Sequence, residues 1–361
     1  MLFREVFSDR LLWLQLREMS DDPVRGLALF SGNRAQKNTL FRDFQNYLRQ
    51  AKTYCDAATR IEGSAAALRF YYSALNLAKA ELLQTHSSQI VGKFIRHGLG
   101  LRSSASPSIR GDRLSVEKGI FRLLYEKRVD APFPIRPNPR VTNLLSLIPE
   151  IGMEVEEYGR ARPSTVQAYH TIAQDHQSAW SLLLIETYPT LDRSEPTIKS
   201  ILAAYDEVDL QLVPNWRALF AISPRHTGIE MRLFQSKLTY SAIGSAGVWI
   251  PDVENAQLVP HAALGLALSA PLTHRSEYVL TYTLTKTNPY EFPLDLVRYA
   301  SLYYLSSLVR YKPSALDPVR QGIQAWLMDS FVSYVPPSIL AAATSGITGR
   351  PLMFVPEQYR Y

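Results

Sequence analysis

The sequence predicts a mainly α fold: a helical bundle with a small antiparallel β-sheet between its N- and C-terminal helical parts, α+β overall. Three observations predict it. Apolar residues recur at helical spacing through most of the first 205 positions, short β-branched and aromatic runs separated by turn formers fill 206–290, and helical spacing returns over 291–361. The resulting division is an N-terminal helical region over 1–205 with basic loops at 93–140, a strand-rich region over 206–290, and C-terminal helices over 291–361 that pack back on the first bundle. At 361 residues the chain is long enough for more than one structural region.

"LLWLQLREM" opens the first helical part, and "KNTLFRDFQNYLRQAKTYCDAATR" continues it with Leu40, Phe44, Tyr47, Leu48 and Tyr54 near helical spacing. The segment Ala67 to His86, "ALRFYYSALNLAKAELLQTH", is the strongest amphipathic helix. Two stretches follow whose Gly, Ser and Pro content predicts loops, "RHGLGLRSSASPSIRGDR" and "KRVDAPFPIRPNPR". "VTNLLSLIPEIGMEVEEYG" and "STVQAYHTIAQDHQSAWSLLLIETY" are expected as helices, the second capped by Ser164 or Thr165. "NWRALFAIS", "TGIEMRLFQSKLTYSAI" and "EYVLTYTLTKT" are expected as strands. Helix returns at "FPLDLVRYASLYYLSSLVRY", which Pro313 should stop near Tyr311. Pro336 and Pro337 are expected in the first turn of a last helix, "PPSILAAATSGI".

Several chemistries are excluded or weakened. A single cysteine, Cys55, rules out an intramolecular disulfide, fits a reducing compartment, and reads as a small buried hydrophobe in a helix. Glu5, Asp9, Arg4 and Arg10 interrupt the apolar run an export signal needs, and "HAALGLALSAPL" is too short to span a bilayer. The expected location is therefore the cytoplasm, with no membrane partner. Phosphate-loop, dinucleotide-turn and nucleophile-elbow motifs are missing, so no cofactor is expected. No metal site is expected either: the seven histidines lack H-x-x-x-H spacing, and His170 and His176 on one helix would diverge. A nuclease site could be forced onto Asp209, Glu230 and Arg232, although an alternating strand face explains the same residues.

Charge is concentrated. Lys93 to Arg140 holds 11 basic and 4 acidic residues, +7 within a chain of +6, leaving −1 elsewhere. Lys93, Arg102, Arg110, Arg113, Lys127, Arg128, Arg136 and Arg140 are thus candidates for a nucleic acid or other polyanion, the arginines because the planar guanidinium donates paired hydrogen bonds to phosphate. Solvated loops account for the same charges.

On the helix from Ala67, Leu68, Tyr71, Leu75, Ala78 and Leu82 form a core-facing stripe. Arg69, Tyr72, Asn76 and Lys79 form a second, and asparagine inside a helix asks for a partner. Tyr299, Tyr303, Ser306 and Arg310, with Tyr311 beside them, repeat the spacing on the late helix. Three readings stand: a polar network fixing helix register, an anion pocket using Arg69, Tyr72, Asn76, Lys79, Arg96, His97, Arg310 and Tyr311, or an exposed face.

The succession "LRQAKTYCDAATR", "LRFYYSALNLAKAELL", "HGLG", "SVEKGIFRLL", "LLSLIPEI" and "YYLSSLVRYKPSAL" resembles the bacterial YaaC-like family over most of the chain. That resemblance implies a mostly helical fold and no particular reaction. "YYSALNLAKA" with "HGL" is also distantly similar to HEPN-type helical bundles, some of which are ribonucleases of defence systems. Here His97 directly follows Arg96 and no His follows Arg310, so the ribonuclease Arg/His signature is missing. What the resemblance implies is a non-catalytic binding or regulatory module, nucleic-acid- or nucleotide-binding or part of a defence-type assembly. The alternatives are a diverged nuclease or nucleotide hydrolase using Arg69, Lys79, His97 and Arg310, and a structural subunit or homo-oligomer that buries aromatic surfaces including Trp216 and Trp326.

Overall fold

The structure is a computed structural model that describes residues 6–7, 9–61, 63, 65–93, 95–103, 109–133, 138–159, 165–174, 178–187, 202, 205–213, 230–241, 267–268, 280–285, 292–311, 323–349 and 353–354. The chain forms two compact units, a helical one from residues 7–162 and 290–354 and a sheet one from residues 1–6, 163–289 and 355–361. The fold is mainly α with antiparallel sheet. Among the described residues no helix is long and apolar enough to cross a membrane.

The helical unit starts with α1 (Asp9–Asp21), α2 (Pro23–Ala28), α3 (Arg34–Ala58) and α4 (Ala65–Ile90). Local chemistry sets these boundaries. Asp22 accepts from the Val24 and Arg25 amides and Pro23 fills the first turn of α2. Asn33 and Gln36 form a reciprocal capping box on α3. The ribbon β1 (Leu99–Arg102) and β2 (Arg113–Val116) leads into α5 (Ile120–Val129), followed by α6 (Val141–Leu145) and α7 (Gly152–Gly159). The first basic stretch, expected as loop, therefore carries a strand pair. Alternation of Leu99, Leu101 and Leu114 with Gly and Ser gives the ribbon one apolar face, on which Leu99 and Leu114 are buried.

The unit is completed by α8 (Leu294–Tyr311) and α9 (Ile323–Thr348), both packed on α4. Every residue of α8 from Leu296 to Leu308 is buried, so it is a central helix rather than a surface one. Its polar members are partnered in part: Arg298 meets Glu150 at 2.7 Å, and the Tyr304 hydroxyl donates to Asp112 at 2.9 Å. α8 runs to Tyr311, as Pro313 predicts. Pro336 and Pro337, expected to begin a helix, lie inside α9 instead. The neighbouring apolar residues Phe331, Val335, Ile339 and Leu340 are buried on one side, and that packing holds the helix together across the two missing amide donors.

In the sheet unit, β3 (Thr165–Gln174), β4 (Ser178–Thr187), β5 (Tyr205–Val208), β6 (Glu230–Ser241), β7 (Ala267–Leu268) and β8 (Leu280–Thr285) form a sheet ordered β5-β6-β4-β3-β8-β7. All its described pairings are antiparallel. Residues 165–174 and 178–187, expected as helix, are two of its inner strands. A strand paired on both edges is buried on both faces over Leu182–Ile185, and such a continuous apolar run has no period that separates it from a buried helix. His170 consequently sits on a strand, so the helical-divergence argument against a His170/His176 metal pair does not apply, and His176 lies outside the described residues.

Candidate functional site

The site is built where the turn before β1 meets the start of α5. The Glu117 amide donates to Gly98 O at 2.9 Å, and the Ile120 and Phe121 amides donate to Arg96 O and His97 O at 3.0 Å each. Gly98 has φ +82°, and a Cβ there would sit 3.0 Å from Gly119 Cα. Two glycines therefore let the backbones touch, which fixes the intervening His97. The Leu99 amide donates to His97 Nδ1 at 3.2 Å. An acceptor Nδ1 leaves the neutral ring's proton on Nε2, so the ring presents a donor. Burial and then Arg310 lower the His97 pKa, Glu117 opposing them, and the ring stays neutral at pH 7.

The His97 ring packs 4.9 Å from Tyr303 of α8. Tyr71 of α4 packs edge-on to Tyr299 and Tyr303 at 5.8 and 5.5 Å. Burial raises the Tyr71 pKa well above its usual value, and the neighbouring Tyr299 adds to it. The Tyr71 and Tyr299 hydroxyls are buried and lie against each other. At the rim, the Arg310 guanidinium lies 4.9 Å from the Tyr311 ring and 6.0 Å from that of Tyr72. Tyr311 is 58% exposed, so this end of the cluster is open to solvent.

Of the anion-pocket candidates, Tyr72, His97, Arg310 and Tyr311 converge. The others do not. Asn76 donates to Tyr72 O one turn back in its own helix, at 2.8 Å. Lys79 lies over Tyr47 of α3 at 5.6 Å, its pKa lowered by burial. Arg69 and Arg96 are exposed. The aromatic contact of α4 with α8 also runs through Tyr71, a member of the apolar stripe whose hydroxyl gave no signal in the pattern.

The basic candidates separate as well. Lys93 and Arg96 line a cleft of about 630 Å³ with Lys118 and Arg122, residues that spacing did not single out. Arg122 is held by Glu126 at 2.8 Å, whereas Lys93, Arg96 and Lys118 make no ion pair among the described residues. Arg102 and Arg113 are cross-strand partners, and Arg113 pairs in turn with Arg140. Arg110 donates to Tyr158 O at 3.0 Å and lies on its ring. Lys127 and Arg128 turn inward onto fully buried Glu81. Arg136 lies outside the described residues, as does Trp216; Trp326 is 44% exposed. In the sheet unit Arg232 is clamped by both oxygens of Glu207 at 2.7 and 2.8 Å, which gives it a partner other than a substrate. Among the described residues no group of three His, Cys, Asp or Glu side chains could hold a metal ion.

Fold and site together define a mainly helical protein with a half-open Tyr/His/Arg cluster beside a basic surface. The chain matches the model of the YaaC-like Protein family over residues 31–347, most of its length, and belongs to that family. No curated protein and no solved structure matches it.

Proposed function

We propose that this YaaC-like protein is a non-catalytic binding module whose ligand is a nucleotide or a nucleic-acid strand, held at the Tyr72, His97, Arg310 and Tyr311 cluster. The observation that carries this reading is Arg310, a cation at the open rim set against two tyrosine rings and beside the His97 ring. Aromatic faces accept bases, guanidinium groups accept phosphate, and an Nε2–H donor suits a phosphate or carbonyl oxygen. The same His97 favours binding over the alternative, a diverged nuclease or nucleotide hydrolase. Its Nδ1 is occupied by the Leu99 amide, so in the neutral ring Nε2 carries the proton and cannot serve as a general base.

Calorimetric or anisotropy titration with mononucleotides and short single strands tests the reading. Loss of one stacking or phosphate contact, about 1–3 kcal/mol, weakens binding about 5- to 150-fold in Arg310→Ala or Tyr311→Ala. Because both residues are exposed, the melting temperature should stay within about 2 °C. No binding by the wild type at low salt, or a collapse in melting temperature for Arg310→Ala, removes the proposal; product formation during incubation turns it toward the hydrolase.

A further inference from the structure

The basic surface contains one arrangement that ordinary folding requirements oppose. Arg102 and Arg113 are direct partners across β1 and β2, and Arg113 is bridged to Arg140 on its other side. The bonds flanking that bridge, Leu114 N to Pro139 O at 2.9 Å and Val141 N to Asp112 O at 3.0 Å, show that 113 and 140 form a non-hydrogen-bonded pair. In that pair type the Cα atoms approach to about 4.5 Å and the side chains stand closest. Directly opposed side chains share a face, so three arginines stand in one row about 10 Å long.

Like charges directly opposite each other destabilise a sheet, and here there are two such oppositions in succession. Arg140 is moreover the residue preceding α6, at the positive end of its peptide dipoles, where a cation is again disfavoured. Among the described residues no internal counter-charge compensates. None of the three makes an ion pair among the described residues; Arg113 has only Asn138 O, at 3.3 Å. The carboxylates nearest along the ribbon are Asp112, fully buried and bonded by Tyr304, and Glu117, which lies four residues beyond Arg113 toward His97. Arg102 and Arg140 are exposed. A placement that costs stability in the free protein and leaves its charges unneutralised is what a surface for an external anion looks like.

We infer that the row Arg102, Arg113 and Arg140 docks successive phosphates of a single-stranded nucleic acid. Forked guanidinium donors at regular intervals suit a chain of phosphates, whose spacing a flexible single strand can adjust. The inference shares the anionic-ligand reading above but uses a different site, so the two fail separately.

The experiment is anisotropy of a labelled single-stranded oligonucleotide on the full chain between 50 and 200 mM KCl. Three phosphate contacts give a slope of about −2 in log K against log salt, an affinity loss of about 18-fold over that range. Arg102→Gln with Arg140→Gln should shrink the slope by about 1.4 while the melting temperature holds or rises by about 1–2 °C, since repulsion is relieved. Arg310→Ala should weaken mononucleotide binding, which the row variant leaves intact. An unchanged slope in the double variant overturns the inference, as does loss of binding accompanied by a fall in melting temperature. Heparin or an acidic polypeptide binding as tightly as the oligonucleotide also overturns it, assigning the row to a general polyanion or protein partner. Mononucleotide binding that fails while the row slope persists removes the earlier reading and keeps this one.

Discussion

Replacing Arg128 with methionine should cost about 3–5 kcal/mol, the range for breaking a buried ion pair by removing one partner. The structure explains why the upper part of the surface-pair scale does not apply. Glu81 is fully buried, and Arg128 donates to both its oxygens, at 3.1 and 2.5 Å, and to Asp295 as well. Burial alone would lower the Arg128 pKa, but Glu81 and then Asp295 outweigh it and raise it. With the guanidinium gone, Glu81 keeps, among the described residues, only the Lys127 ammonium 3.6 Å away, and that group is already shared with Glu81 O, Gln84 Oε1 and Gly346 O. Relaxation is blocked on one side: a Cβ on Gly346 would overlap the Glu81 carboxylate, so α9 lies directly against it. Urea denaturation monitored by circular dichroism gives the value. A loss below about 1 kcal/mol, the level of an exposed pair, would refute the reasoning. A double-mutant cycle with Glu81→Met should return part of the loss, because the stranded charge is then absent. The same Arg128→Met protein should keep the salt slope of oligonucleotide binding unchanged, since this arginine faces the interior.

Two further predictions concern titration. His97 has a folded pKa below its usual 6.5, so the stability gained from its neutral form is complete above pH 6.5 and is lost as pH falls through the folded value. Melting curves from pH 7.5 to 5 should fall more steeply for the wild type than for His97→Gln, His86 contributing the same sign to both; parallel curves would show that His97 is not shifted. Cys55 is pushed up to about 11, by burial first and then by Asp56 and Asp9. A thiol shifted that far is about 0.1% ionised at pH 8, so labelling by a disulfide reagent should be at least about tenfold slower in the native protein than in guanidinium; equally fast native labelling would show that this half-buried thiol is not shifted.

The sequence made the helices around Phe44 and Tyr71 legible through an apolar stripe at helical spacing, and the helix around Tyr303 through its apolar content and the stop at Pro313. It hid β3 and β4 because a strand buried on both faces loses its alternation, as Leu182 to Ile185 show. The polar stripe on α4 misled for a specific reason. Asn76 satisfies its amide within its own helix, so its presence did not require a facing partner, and Lys79 extends to α3. Tyr72, His97, Arg310 and Tyr311 were recognisable as residue types, yet His97 is set in place by the glycine-on-glycine contact at Gly98 and Gly119, and Tyr72 meets Arg310 through the packing of α4 on α8. The arginine row depends on register alone. Nothing in three arginines separated by 11 and 27 positions shows that they will be neighbours.

The Glu81 cluster also has a temporal side. Asp295 lies 167 residues after Arg128, with residues 163–289 of the sheet unit encoded between them. At about 5–20 residues per second of synthesis, the carboxylate and the guanidinium emerge about 10–30 s apart. During that interval the nascent chain holds Glu81 and the aromatic face around Tyr71 without the two late helices that cover them. Nascent chains stalled before residue 290 should consequently depend on chaperones, and the helical unit should become protease-resistant only after its last segment has left the ribosome.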